Sequence, residues 1–186
     1  VALSRIRYNA AMTSSALTGL APEPPARKRC FDPVVDAQTR LLVLGSLPGE
    51  KSLALQEYYA NPQNRFWFLM SEVTGVDLVR LDYASRLATL QERCVGLWDV
   101  VAEAHRPGSL DSRIRDRNDN DLLALIARLP HLTTIAFNGG TAARLGLKVL
   151  GQHAARYRVV QLPSSSPAYT LPYAEKARLW LELCGY

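Results

Sequence analysis

Apolar residues gather in four short runs, separated by longer stretches with helical spacing. Leu41, Leu42, Val43 and Leu44 form the first run without a polar interruption, as a strand buried on both faces of a parallel sheet requires. The second run covers 94–101 and carries one acid, Asp99. The third covers 133–137 and the fourth 156–162. Between the first two, Phe66, Trp67, Phe68, Leu69 and Met70 predict a helix reaching about Thr74, with Gly75 placed to stop it. Residues 78–93 read as a mainly helical return with Leu87 and Leu90 on its apolar face. Asn120 or Asp121 is placed to cap a helix carrying Leu122, Leu123, Leu125, Ile126 and Leu129, closed by Pro130. A short helix over 142–145 is expected to end at Gly146. A final helix from about Pro172 is expected to bury Tyr173, Ala177, Trp180, Leu181 and Cys184. This strand–helix alternation predicts an α/β fold, a three-layer α/β/α arrangement around a central parallel sheet of about four strands.

That topology puts the unusual residues at one edge. The loops after the four strands carry residues 45–64, Asp99, Asn138, and Ser164, Ser165 and Ser166. Loops meeting at the carboxyl ends of parallel strands form a binding site. Residues 1–40 lie outside the alternation and read as a partly disordered N-terminal arm, leaving 41–186 as the main domain. Within the arm, Ala21-Pro22-Glu23-Pro24-Pro25 cannot be helical, Arg27-Lys28-Arg29 is basic, and Met12 is an alternative start.

Composition narrows the picture modestly. The 186 residues suffice for one domain with a sizeable core. The formal net charge of +5 suits an anionic partner, though a solvated surface accounts for it nearly as well. No apolar run approaches the ~20 residues of a membrane span. The opening residues lack a secretory pattern, so a cytoplasmic protein is expected. Cys30, Cys94 and Cys184 form no CxxC pair, and His105, His131 and His153 have no metal-ligand spacing, so no metal or cofactor is expected.

Several familiar chemistries fail on spacing. Gly49-Glu50-Lys51-Ser52 is not the Gly-Lys-Ser ending of a phosphate loop, and there is no GxGxxG or GxSxG. A serine nucleophile at 164–166 has no histidine placed as its base. The run GSLPGEKSLALQEYYANPQNRFW at 45–67, followed by LWDV, SLDSRIRD, AFNG and LPSSSPAY, resembles the uracil-DNA glycosylase superfamily, and within it most the hypoxanthine-DNA (deoxyinosine) glycosylase branch. The similarity covers roughly 41–186. It implies hydrolysis of an N-glycosidic bond in double-stranded DNA holding a deaminated base, hypoxanthine first. The base is flipped out, water attacks, and an abasic site remains. It implies a metal-free monomer without a lysine nucleophile.

One departure shapes the site. Other branches place Asp, Asn or Glu at the third position of the first motif to hold the attacking water, and Leu47 stands there. Asn64 is the first candidate to orient the water or the leaving base, with capping of the Phe66 helix as its other role. Asp99 is the second, able to accept from a base N–H or hold water. The backbone at 46–49, with Ser46, Leu47 and Gly49, offers N–H groups for a base oxygen. Tyr58, Tyr59 and Phe66 offer rings for stacking, or pack in the core. Asn138 can read a base edge, or serve the turn at Gly139. Ser164, Ser165 and Ser166 match the family's serine-rich loop on DNA phosphate, and Arg113, Arg115 and Arg117 add cations to the phosphate surface or simply solvate a loop. The basic arm can touch phosphates as well. Two alternatives stay open: a uracil or G·T mismatch glycosylase of the same fold, and a non-catalytic DNA-binding module in which Leu47 marks a lost site.

Overall fold

The computed structural model describes residues 27–186. Its first strand, β1 (Lys28–Arg29), belongs to a small antiparallel sheet, and its second, β2 (Leu41–Gly45), lies inside a parallel one. The chain continues through α1 (Glu50–Leu55), α2 (Phe66–Thr74), α3 (Tyr83–Glu92), β3 (Val95–Asp99), β4 (Val101–His105), β5 (Arg115–Asp119), α4 (Leu122–Ile126), β6 (Thr134–Asn138), α5 (Gly140–Leu150), β7 (Arg158–Leu162) and α6 (Tyr173–Trp180). The parallel sheet has the order β3-β2-β6-β7. The four-stranded parallel sheet and its helical layers are those the hydrophobic runs predict.

The pleat of β2 divides the core in two. Leu41 and Val43 pack with Phe66, Leu69, Met70, Leu90 and Trp180. Leu42 and Leu44 pack with Leu122, Leu125, Phe137 and Leu145 on the opposite face. Successive side chains of a strand point to opposite faces, so an uninterrupted apolar run is what a doubly covered strand needs. Helix α2 starts and stops as its spacing predicts, with Gly75 in the left-handed region at φ 69°. Asp121 caps α4 by accepting the Ala124 N–H.

Four features depart from the sequence reading. The polar stretch after β3 is not a plain loop: β4 and β5 pair antiparallel and β1 joins them, in the order β1-β4-β5. All five residues of β5 are exposed and polar, so it has no buried face to leave a period-two signature. Its neighbour is held instead by side chains, as Glu103 takes Arg29, Arg27 and the Asn118 amide.

The domain also begins before residue 41. β1 pairs with β4, Cys30 donates to Ala102 O, Val34 exchanges hydrogen bonds with Leu97, and the Trp98 indole donates to Phe31 O. Residues 28–40 are therefore tied to the sheets. The proline-rich stretch at 21–25 and Met12 lie outside the described residues.

Helix α5 runs on through Gly146. A Cβ there would stand 2.2 Å from the Phe137 ring, so this glycine permits close packing on β6 and does not end the helix. In α6 the buried residues are Lys176 and Trp180, followed by Leu183, while Tyr173 and Leu181 are 39% and 44% exposed and Cys184 is exposed. The helix tightens into a 3-10 turn at Leu181–Leu183, which shifts the inward phase from Cys184 to Leu183. No helix among the described residues is long and apolar enough to cross a membrane.

Gly146→Ala should lower stability by about 1–3 kcal/mol through overpacking against Phe137, despite the ~1 kcal/mol that alanine gains over glycine inside a helix. The urea midpoint reads the change; an unchanged or higher midpoint would mean that α5 lifts off Phe137 at little cost.

Candidate active site

β2 lies between β3 and β6, and the chain leaves it first toward one side and then returns on the other. Such a reversal opens a crevice at the carboxyl ends of the strands. A cavity of about 510 Å³ occupies it. Its walls come from the loop after β2, the tyrosines and asparagines that follow, Asp99, the β4–β5 connection at Ser109, Leu110 and Asp111, Asn138, and the serine loop through Tyr169. The sheet edge thus collects the regions that sequence topology assigns to it.

The first loop is held by its carbonyls. Gly45 O accepts from Val100 N and Ser46 O from Val101 N. Leu47 O and Pro48 O both accept from the Arg106 guanidinium, the former at 2.9 Å. Gly49 O accepts from Leu53 N inside α1, a helix that sequence pattern did not reveal. Gly45 is required by close approach: a Cβ would stand 2.6 Å from Asp99 Oδ1 and 3.3 Å from Tyr59 Oη. Leu47 lines the cavity while packing into the core, 5% exposed. It presents hydrocarbon where a water-holding side chain was looked for.

Tyr59 stacks on Phe66 at 3.6 Å between ring centres and 12° between planes. Its φ of 56° is a left-handed conformation that a bulky residue rarely adopts. Tyr58 meets Phe31 edge-on. Both tyrosines line the cavity, but Phe66 does not and is fully buried. The base-stacking role read for Phe66 is thereby corrected: its ring is covered by Tyr59 and supports it from behind.

Asn64 Oδ1 accepts the Phe66 N–H at 3.0 Å, closing the turn into α2. Its amide nitrogen has no acceptor among the described residues, and Asn64 lines the cavity. The N-cap of α2 is Arg65, so Asn64 serves the helix through this preceding turn and not as its cap. Asn138 differs. Its Nδ2 donates to Ser165 Oγ and its Oδ1 accepts the Ser165 N–H, each at 2.8 Å. Ser165 O in turn accepts from Arg65 N. One N–H and one lone pair of the Asn138 amide hold the serine loop, and the side chain also lines the cavity. The Ser165 hydroxyl is buried in the same pair and is not offered to phosphate. Ser164 and Ser166 remain half-exposed, with hydroxyls accepting from Ser166 N and Ala168 N in tight turns.

Asp99 is buried, 3% exposed, and its Oδ2 has no hydrogen-bond partner among the described residues. Burial pushes its carboxyl up to about 7, against the opposing influence of the Tyr58 hydroxyl and then the Arg106 charge. No hydrogen bond of good geometry joins Tyr58 Oη to it, and that hydroxyl too has no partner among the described residues. Burial raises the Tyr58 and Tyr59 hydroxyls well above the usual tyrosine range, with the Asp99 charge adding to it.

Sequence reasoning missed four supporting residues. Arg106 is buried and lies 3.6 Å from Asp111 Oδ1. Asp111 accepts the Ser46 hydroxyl at 2.7 Å, and burial raises its carboxyl. Ser109 Oγ accepts the Glu50 N–H. Lys176 donates to Tyr169 O at 2.7 Å and Ser166 O at 3.3 Å, clamping the serine loop onto α6. Arg113, Arg115 and Arg117 do not line the cavity; they are exposed along its flank, and Arg115 turns back to Ser112 O and Ile114 O.

The family model of the uracil DNA glycosylase superfamily matches residues 33–184. A hypoxanthine DNA glycosylase of Methanosarcina acetivorans is 41% identical over 141 residues, 76% of this chain and 87% of that relative. One from Methanosarcina barkeri is 40% identical over 113 residues, 61% of this chain and 72% of its own. A solution NMR structure from Methanosarcina acetivorans, described as a candidate uracil DNA glycosylase, superposes with a TM-score of 0.75 at 37% identity, covering 85% of this chain and 96% of that one.

Asp99 also makes stability depend on pH. Its folded-state value lies above the ~3.9 of a free aspartate, so its contribution is full below about pH 4 and is lost as pH rises through about 7. Asp99→Asn, which cannot ionise, should gain on wild type between pH 4 and pH 8 by up to about 4 kcal/mol, levelling above pH 7.5. Urea unfolding at each pH measures this, and a constant difference would show that Asp99 is not titrating in that window.

Proposed function

Because the chain belongs to the uracil DNA glycosylase superfamily, we propose that it is a monofunctional DNA-deoxyinosine glycosylase, excising hypoxanthine from double-stranded DNA. The observation that carries the reading is the convergence of Asn64, Asp99 and the 45–49 loop on one cavity at the sheet's switch point, in a chain about 40% identical to named hypoxanthine DNA glycosylases. The C1′–N9 bond breaks with its electron pair passing to the purine and positive charge developing on the sugar. Water adds to C1′, and the proton it loses balances the one taken up by the departing purine anion, giving an abasic site and free hypoxanthine. The nucleotide must leave the stack to reach such a cavity.

In this reading the Asn64 amide orients the water or the leaving base. An amide is no base at neutral pH, so its part is hydrogen bonding. Asp99, raised to about 7, can accept from water or a base N–H when ionised and donate when protonated. The backbone at Ser46, Leu47 and Gly49 faces the base oxygen, and Tyr58 and Tyr59 wall the purine. Ser164, Ser166 and the flank arginines Arg113 and Arg115 contact phosphates. The protein acts as a monomer, in the cytoplasm, without a metal.

The test uses matched duplexes holding inosine, uracil or a G·T mismatch, followed by alkali. Cleavage mainly at inosine is expected. Cleavage confined to uracil or G·T would favour the other specificity, which the description of the superposed solution structure keeps in view. Binding without cleavage would reduce the protein to a DNA-binding module. Lys51 stands exposed at the cavity rim, so borohydride should trap no protein–DNA adduct if water is the nucleophile. Asn64→Ala should slow single-turnover excision at least ~10-fold, about 1.4 kcal/mol of barrier, while the lost turn costs roughly 1 kcal/mol of stability. Unchanged excision would remove Asn64 from the mechanism.

A further inference from the structure

Arg106 is an expensive residue to bury. It is 3% exposed, and among the described residues its Nε has no partner and its one carboxylate neighbour within ion-pair distance is Asp111 at 3.6 Å. An arginine so placed is retained against a desolvation cost of several kcal/mol. The guanidinium is spent on two consecutive carbonyls, Leu47 O and Pro48 O. It does not itself line the cavity; the loop lies between. With the carbonyls of Gly45, Ser46, Leu47 and Pro48 all turned into the protein, the opposite edge of the loop is left to its N–H groups. Pro48 has none to give. The Gly49 N–H has no acceptor among the described residues, and Gly49 lines the cavity. Donation from Arg106 to Pro48 O polarises the peptide whose N–H belongs to Gly49.

We propose that Arg106 is a positioning residue for the leaving purine: it fixes the Pro48–Gly49 peptide so that the Gly49 N–H meets the base, and places a desolvated positive charge behind that peptide as the base takes up the electron pair. Preorganised donors and charge aimed at developing negative charge are the strongest transition-state terms available to a hydrolase without a metal. This gives a chain with Leu47 in the first motif a way to assist departure of the base without a polar side chain there. Asp111, which accepts the Ser46 hydroxyl, stands 3.6 Å from the Arg106 nitrogen that holds Leu47 O and supplies the compensating charge.

The inference rests on the glycosylase reading, and the experiment separates the two. Arg106→Gln removes the charge and one of the paired donors. Arg106→Lys keeps the charge but not the two-carbonyl grip. Gly49→Pro leaves Arg106 untouched and replaces the N–H with a ring carbon; Gly49 already has φ −68°, close to the ~−65° that proline imposes, and an added Cβ meets nothing nearer than Ser109 Oγ at 3.4 Å. Single-turnover excision of inosine is compared with affinity for a duplex carrying a tetrahydrofuran abasic analogue, which has no base. Arg106→Gln and Gly49→Pro should each slow excision at least ~30-fold, about 2 kcal/mol of barrier, with affinity for the baseless duplex within about threefold of wild type, and Arg106→Lys should recover part of the rate. Excision within threefold of wild type in both, or affinity for the baseless duplex falling in parallel with rate, overturns the proposal. If wild type cleaves only uracil or G·T, the same comparison is made on that substrate. If it cleaves nothing, the glycosylase reading fails, and the proposal is judged by calorimetric binding of free hypoxanthine: weaker binding by both variants sustains the purine cradle, and binding equal to wild type ends it.

Discussion

Gly45 stands beside Asp99 in the parallel ladder with no room for a methyl group between them. That contact places a carboxyl in the floor of the cavity and keeps it from water. It also lets the Tyr59 hydroxyl close over the same backbone. A side chain at 45 would have to push Asp99 or Tyr59 outward, and Tyr59 is already held in a strained left-handed conformation on the buried face of Phe66. Strain of this kind persists only where the surroundings overdetermine it. Here β2, the Phe66 ring and the Asp99 carboxyl supply that constraint together.

Most of the polar groups around the cavity are consumed in building it. Asn138 and Ser165 satisfy each other, Lys176 holds the far end of the serine loop, and Arg106 holds the near side of the first loop. Buried polar groups are costly unless paired, so the groups left unpaired are the informative ones. Among the described residues that line the cavity they include the Asn64 amide nitrogen, Asp99 Oδ2, the Tyr58 hydroxyl and the Gly49 N–H. These belong to different elements yet border the same space.

The hydrophobic runs made the central sheet legible because strands covered on both faces must be apolar throughout. Helix α2 was equally clear, since its aromatic start and Gly75 stop are local signals. What escaped lacked local signals. β5 is a strand of five exposed polar residues, defined by its ladder with β4 and not by burial. Gly146 looked like a stop because its reason for being glycine is a ring from another element. The segment at 28–40 looked like an arm because β1 is two residues long and its partner lies over seventy positions away. In the site, residue types were readable and their states were not. Asn138 and Ser165 both read as groups available to a ligand, and each is also held by the other across a long stretch of sequence.

Leu47 gains its meaning from that distribution. A polar side chain at 47 would enter a space bordered by Asp99, whose carboxyl is already raised by burial, with Asp111 nearby adding to the rise. A second carboxylate there would push one of the acids further toward neutrality, since like charges in a shared site cannot both ionise. Leucine avoids that competition. It leaves Asp99 close to the pH at which it can both give and accept a proton, and it closes the hydrophobic layer beneath the loop against Leu44 and Val100. The uncharged groups that border the cavity are then the Asn64 amide and the loop backbone, while both buried cations, Arg106 and Lys176, are held on backbone carbonyls.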